Sequence, residues 1–282
     1  MFAYVNGAVV DEAAAAISIF DHGFTVGDGV FESIALRGGI TYAVSRHLAR
    51  LIRSATRIGL PAPDLDDLHR AVGMTVAANP GVIWGALRIT YTSGIGTLGS
   101  VRSGLSTSLV VAARELPRHD ELAEAITVPW PRNERGALAG IKTTSYAENA
   151  VALADAHRLG ANEAIFANTL GNLCEGTGTN VFVVINGQLV TPPLSAGCLA
   201  GVTRALVIER CGVDVDQRDV PLDVLYMADE AFLTSATRDV QPIRAVDGRG
   251  IPTCPGPITE RVARAYAALL AADADPPLPL GA

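Results

Sequence analysis

The stretch ELPRHDELAE, Glu115–Glu124, decides how this chain is read as a fold. A proline stands among charged side chains with neither a two-residue nor a 3.6-residue apolar period, the composition of a connection and not of a strand or helix. It divides the 282 residues into an N-terminal domain of residues 1–115, a linker of 116–124 and a larger domain of 125–282. On both sides strand and helix patterns are mixed without regular βαβ alternation. Two α+β domains are therefore expected, not one doubly wound sheet.

Upstream of the linker, Phe2 to Val5 and Ala8 to Val10 flank Asn6-Gly7, the pair a type I′ hairpin turn demands. Leu48, Leu51, Ile52, Ala55 and Ile58 recur at helical spacing after a candidate cap at Ser45, and Leu65, Leu68, Val72 and Val76 do so after Asp64. From Leu87 to Thr92 the period changes to two, a strand with Leu87, Ile89 and Tyr91 on one face and Arg88, Thr90 and Thr92 on the other. An apolar run from Ser108 to Ala113 closes this part.

Downstream, strands are expected around Ile126–Val128, Ala164–Ala167, Val181–Ile185, Gln188–Val190 and Ala231–Thr234, with Asn186-Gly187 turning one hairpin. Helices are expected from Tyr146 to Leu159, from about Val202, and along Ile258, Val262, Ala265 and Leu269. The tail from about Ala271, AADADPPLPLGA, is too rich in Pro and Asp to be expected to order.

Twenty-two basic against 29 acidic residues leave a net charge of −7, and no local basic patch offsets it. Such a chain does not recruit nucleic acid or an anionic membrane surface. Without a spanning apolar run or a charged leader followed by one, the cytoplasm is the expected compartment. With 49% hydrophobic and 18% charged residues, a sizeable core is within reach. Four scattered cysteines and five histidines form no recognisable metal-ligand spacing.

Of the 22 basic residues, 21 are arginine and one is Lys142. Arginine replaces lysine in salt bridges but not as a nucleophile toward carbonyls, because the guanidinium keeps its proton. Lys142 is therefore either a catalytic amine, set among Leu138 to Ile141 and the hydroxyls of Thr143, Thr144 and Ser145, or a lysine that survived a composition bias. GNLCEGTGTN, Gly171–Asn180, reads as a loop in which Glu175 offers a charge to a cationic ring nitrogen, or as a plain turn with a solvated carboxylate. Gly201, Val202 and Thr203 open a helix whose free N–H groups suit an anion, though many helices open this way and bind nothing. Arg50 is either a phosphate clamp or a surface arginine. Gly27-Asp28-Gly29 makes a tight turn that lines a pocket or merely reverses the chain. Arg88 is either a carboxylate anchor or a strand-surface residue.

Taken in order, GDGVFES at Gly27, HLARLIRSA at His47, IKTTSYAENA at Ile141, EGTGTNVFVV at Glu175 and LAGVTR at Leu199 resemble the class IV, fold type IV, aminotransferases that depend on pyridoxal phosphate. The likeness runs from Tyr4 to about Tyr266. It implies a small N-terminal α/β domain and a larger, mixed β-barrel-like domain with flanking helices. It further implies that Lys142 holds pyridoxal 5′-phosphate as an internal aldimine and moves the substrate α-proton. Glu175 would pair with the pyridine nitrogen, and Arg50, Gly201, Val202, Thr203 and Ser235 would hold the phosphate. Thr179 belongs to the same set, as does Ala236, which offers only a backbone N–H where many relatives have a threonine.

On the substrate side the resemblance implies Phe31, Arg88, Tyr91, Tyr146 and Thr237. D-amino acid aminotransferases use a tyrosine at the Phe31 position, plus an arginine and a histidine near the places held here by Tyr91 and Ser93. Arg88 matches a strand arginine of the branched-chain type. The expected activity is transamination between an amino acid, D-configured or small and apolar, or an R-amine, and a 2-oxo acid. The alternatives are 4-amino-4-deoxychorismate lyase and branched-chain L-amino acid aminotransferase. A homodimer is implied, with each active site between the two domains and bordered by the neighbouring subunit.

Overall fold

A computed structural model describes residues 1–104 and 106–278. The backbone groups into two units. One comprises residues 1–118, 141–146 and 274 onward, and the other 119–140 and 147–273. The expected second domain therefore loses two pieces to the first unit. One of them is the Lys142 stretch.

The first unit is built on a six-stranded antiparallel sheet in the order β2-β1-β6-β5-β3-β4. Its strands are β1 (Phe2–Val5), β2 (Ala8–Asp11), β3 (Gly29–Arg37), β4 (Ile40–Thr41), β5 (Trp84–Thr92) and β6 (Ser108–Glu115). Asn6 and Gly7 take positive φ of 46° and 102°, so the expected hairpin turn is present. A short α1 (His22–Thr25) precedes β3. Helices α2 (Val44–Arg57) and α3 (Leu65–Ala78) pack on the sheet through Leu48, Leu51, Leu68 and Val72, against Ile34, Leu36, Leu87, Ile89 and Val111. The Asp64 side chain caps α3 through Asp67 N at 2.8 Å.

Ser45 does not cap α2. The N-cap is Ala43, in the left-handed region with φ 54°, and the helix start is held by Asp275, whose carboxylate accepts from Ser45 N at 2.9 Å and Ser45 Oγ at 2.6 Å. Ala43 N donates to Ala274 O, and Arg46 Nε to Pro276 O at 3.0 Å. The tail expected to lack order is thus fastened to α2 as far as it is described, because its acidic and carbonyl groups meet the donors of a helix N-terminus. Residues 279–282 lie outside the described residues.

The second unit holds a nine-stranded mixed sheet, in the order β12-β11-β10-β13-β14-β7-β8-β9 with β15 beside β14. The strands are β7 (Ala123–Thr127), β8 (Glu163–Ala167), β9 (Leu173–Gly176), β10 (Asn180–Ile185), β11 (Gln188–Thr191), β12 (Val215–Gln217), β13 (Glu230–Ser235), β14 (Asp239–Val246) and β15 (Arg249–Gly250). β7 runs parallel to β8 and β14, and β11 parallel to β12. Helices α4 (Ala147–Arg158), α5 (Val202–Arg210) and α6 (Pro257–Ala272) complete the unit, whose core includes Ile165, Val181, Val183, Leu233 and Ile243. Among the described residues no helix is long and apolar enough to cross a membrane.

Candidate active site

Lys142 is positioned by the start of β3. Phe31 N donates to Lys142 O and Thr144 N to Gly29 O, both at 2.9 Å, with a bridge between Val30 and Thr143. The Gly27 turn exists to let this stretch pass. Gly27 has φ 69°, a Cβ there would stand 2.7 Å from Ser145 Oγ, and its carbonyl accepts from Thr144 and Ser145 hydroxyls at 2.8 and 3.0 Å. The hydroxyls after the lysine therefore fasten the backbone.

The apolar setting of Lys142 comes more from two aromatic rings than from Leu138 to Ile141. Its Nζ lies 4.4 Å from the centre of the Phe31 ring and 5.5 Å from that of Tyr146, and the two rings meet edge to face at 5.1 Å. Leu138 is exposed, and Gly140 belongs to the other unit. The Arg88 guanidinium lies 3.4 Å over the Phe31 ring and has a long, 3.5 Å contact to Thr90 Oγ1. Phe31, Arg88, Lys142 and Tyr146 thus form one group. Tyr91 does not join it. Strand alternation turns Tyr91 to the other face of the sheet, where it is buried in the core with its hydroxyl on Pro61 O at 3.2 Å.

Glu32, next to Phe31 on β3, also faces that other side. It is fully buried and accepts from Arg50 Nε and Nη2 at 2.7 Å each, while His47 Nδ1 lies 2.7 Å from Oε2. The Arg50 guanidinium and His47 hold the Glu32 carboxyl down at about 2 against the cost of burial. Burial depresses the His47 imidazole below its ordinary value. The planar edge of Arg50 expected to grip a phosphate is thus aligned on Glu32, and Arg50 is a buried residue, not a surface one. Sequence reading missed Glu32 and His47 as its partners, although both stand inside the quoted motifs.

In the second unit, Glu175 sits on strand β9 and not in a loop. Its Oε2 accepts from Leu199 N at 2.8 Å, and Arg132 Nε lies 3.2 Å from Oε1. Arg132 itself rests over the Phe166 ring and pairs with Glu148. Nothing around Arg132 in sequence signalled that role. Asn180 Nδ2 donates to Leu199 O at 2.8 Å, so residue 199 ties the Glu175 strand to the start of α5.

There Gly201 is the N-cap, and no side chain among the described residues caps the helix. A Cβ on Gly201 would collide with Asn180 Oδ1, which explains the glycine. Val202 and Thr203 are buried, and the Thr203 hydroxyl lies 3.3 Å from Tyr266 OH. Thr234 Oγ1, also buried, has no hydrogen-bond partner among the described residues. After it, Ser235 ends β13 and Ala236, Thr237 and Arg238 turn the chain into β14, where Ser235 Oγ accepts from Arg238 N at 3.1 Å. Thr179 departs from the expected role. Its hydroxyl is buried and donates to Glu163 at 3.0 Å.

The family model for class IV amino-transferases matches residues 29–246. A solved branched-chain aminotransferase from the archaeon Thermoproteus uzoniensis is 32% identical, with a TM-score of 0.87 over 96% of this chain and 94% of that one. The Escherichia coli branched-chain amino acid aminotransferase superposes with a TM-score of 0.89 at 26% identity, covering 95% and 94% of the two chains. The D-alanine aminotransferase of Bacillus licheniformis is 29% identical over 268 residues, 91% of this chain and 93% of its own. With most of its length matched in sequence and in fold, the chain belongs to the class IV aminotransferases, which use pyridoxal phosphate.

Proposed function

We propose that this enzyme transfers the amino group of an amino acid with an apolar side chain to a 2-oxo acid, with Lys142 as its catalytic residue. The observation that carries the reading is the only lysine of the chain, placed with its Nζ against the rings of Phe31 and Tyr146.

The residues present fit pyridoxal phosphate. The buried, uncapped start of α5 and the orphaned Thr234 hydroxyl suit a phosphate, and the Glu175 carboxylate suits a protonated ring nitrogen. Val202 and Thr203 N–H groups, with Gly201, Ser235 and Ala236, would hold the phosphate. When bound, the cofactor supplies an aldehyde for amines and a ring that draws electrons from the substrate α-carbon. Lys142 Nζ would hold the cofactor and, once released, would be the base that moves the proton off the substrate Cα. The Phe31 and Tyr146 rings flank the amine and limit the directions in which it can reach a substrate. Glu175, oriented by Leu199 N and Arg132, keeps a proton on the ring nitrogen.

For the substrate, Arg88 beside Phe31 would take the carboxylate and the aromatic pair the apolar side chain. A branched-chain L-amino acid suits this group best, since Phe31 lacks the hydroxyl of the D-amino acid type and Tyr91 is in the core. The likeness to a D-alanine aminotransferase supports a D-amino acid donor as the second reading.

Borohydride reduction should leave a pyridoxyl group on Lys142, located by peptide mass, and Lys142→Ala should abolish turnover. A native protein that takes no label refutes the proposal. Conversion of the bound cofactor to its amine form by L-leucine and not by D-alanine supports the branched-chain reading, and the reverse supports the D-type. Pyruvate release from aminodeoxychorismate without amino transfer would assign the lyase reaction instead.

The same reading includes a homodimer working in the cytoplasm without nucleic-acid or membrane partners. The first unit exposes Ile19, Phe20, Phe24 and Leu98 on two stretches joined by Gly96 N donating to Phe20 O, a patch suited to a second copy. Phe24→Asp with Leu98→Asp should halve the mass seen by light scattering. An unchanged mass would remove this surface from the interface.

A further inference from the structure

Glu163 opens β8 in the second unit and is entirely buried, yet no step above uses it. Its Oε1 accepts from Thr177 N at 2.9 Å, from the Thr177 hydroxyl and from Ala164 N at 3.0 Å, while Oε2 accepts from the Thr179 hydroxyl at 3.0 Å. These bonds fold the GTGT segment immediately after Glu175 around one carboxylate. Gly176 shows how closely they fit, because a Cβ there would collide with Thr179 Oγ1 and stand 3.0 Å from Glu163 Cδ. Asn149 adds a bond to Thr177 O from α4.

The other side of Glu163 meets Arg238, whose Nη2 lies 3.5 Å from Oε2. Arg238 ends the turn Ser235-Ala236-Thr237, donates its own N–H to Ser235 Oγ and is braced by Asn162 O at 3.2 Å and Gln241 Oε1 at 3.1 Å. One buried ion pair therefore joins the segment after Glu175 to the turn after Thr234. These are the two places assigned above to the ring nitrogen and to the phosphate.

We propose that Glu163 and Arg238 are paired positioning residues that set the spacing between the Glu175 strand and the Ser235–Thr237 turn, and so the grip on both ends of the cofactor. The inference rests on the functional reading above. A carboxylate with four donors and a cation around it keeps one geometry, whereas an amide in its place loses one acceptor and the charge that faces Arg238. Neither residue touches the cofactor in this proposal. Each acts through the segment it holds.

The test is equilibrium titration of apoprotein with pyridoxal phosphate, followed by absorbance, for wild type, Glu163→Gln, Arg238→Gln and the double variant. Each single change should raise the dissociation constant about tenfold, and the double should be no weaker than the weaker single, because both remove the same link. The absorbance band of the bound cofactor should also shift its pH dependence as the Glu175 carboxylate loses its fixed place. Thr179→Val, which removes one bond and no charge, gives a milder version of the same effect should Glu163→Gln fail to fold, and Thr179→Ser should restore wild-type affinity. Unaltered affinity in the folded variants, or multiplicative effects in the double, would overturn this inference while borohydride still labels Lys142. A wild type that takes no label overturns the functional reading and this inference with it.

Discussion

The N-termini of α2 and α5 make opposite use of the same geometry. Both helices begin with amide groups that have no partner inside the helix. At α2 the chain supplies its own anion, Asp275, and one turn further on Arg50 and His47 meet Glu32. At α5 no side chain among the described residues caps the helix, Val202 and Thr203 are buried, and the Thr234 hydroxyl has no hydrogen-bond partner among those residues. A buried helix end without a partner is costly unless a ligand completes it, so the unfinished end is the one that points to chemistry. A helix start counts as an anion site here for what fails to satisfy it, and its sequence alone carries little weight.

The largest expected effect breaks the closed side of the comparison. Glu32→Gln leaves Arg50 buried beside a neutral amide and should cost roughly 3 kcal/mol of unfolding free energy in urea titration. A loss no greater than that of a surface substitution would mean that the Glu32 circuit carries no more than an exposed ion pair does.

Acid tests the same circuit by another route. Glu32 sits at about 2 in the folded chain against an ordinary 4.5, so its contribution is complete above pH 4.5 and disappears as the pH falls toward 2, a change of about 3 kcal/mol. His47, held below its ordinary 6.5 by burial, takes up protons more readily when unfolded, so its part of the loss begins as the pH drops below 6.5. Stability measured from pH 7 to 3 should fall throughout, and the limb below 4.5 should flatten in Glu32→Gln. An unchanged limb would assign the acid sensitivity to other carboxylates.

On the open side, Gly201→Ala forces a methyl group onto Asn180 and disturbs its bond to Leu199, the residue that also fixes Glu175. About 1–2 kcal/mol of stability should be lost, with a larger proportional loss of cofactor affinity. Equal losses in both would sink the idea that this end of α5 is shaped for a ligand.

What the sequence made legible follows range. Asn6-Gly7, the Asp64 cap and the Gly201 helix start depend on residues within a few positions of each other, and each could be read from type and spacing. Lys142 stood out by composition, and the five ordered motifs led to the family. The surroundings of Lys142 were legible only through the resemblance, which named Phe31, Arg88 and Tyr146, because Phe31 reaches it across more than a hundred residues through a backbone pairing that leaves no local pattern. Glu175 was read as a loop because its strand has four residues and is followed by glycine and threonine. Glu163 and Arg132 gave no signal, since a charged residue that ends up buried against a distant partner looks like any surface charge.

The smallest effect isolates the difference between the two helix ends. Asp275→Ala removes the carboxylate that serves Ser45 while leaving Lys142, Glu175 and the start of α5 intact. Loss of a cap costs about 1 kcal/mol, which in a chain of this size lowers the melting temperature by roughly 2–4 °C. Cofactor affinity should stay at the wild-type value, because the α2 start is satisfied from within the protein and has nothing to offer a ligand. Scanning calorimetry paired with the pyridoxal phosphate titration separates the two quantities. A melting temperature that falls while affinity holds supports the division between a finished and an unfinished helix end. A fall in affinity would mean that the tail acts on the site through α2, and the closed side of the comparison would then belong to the binding machinery.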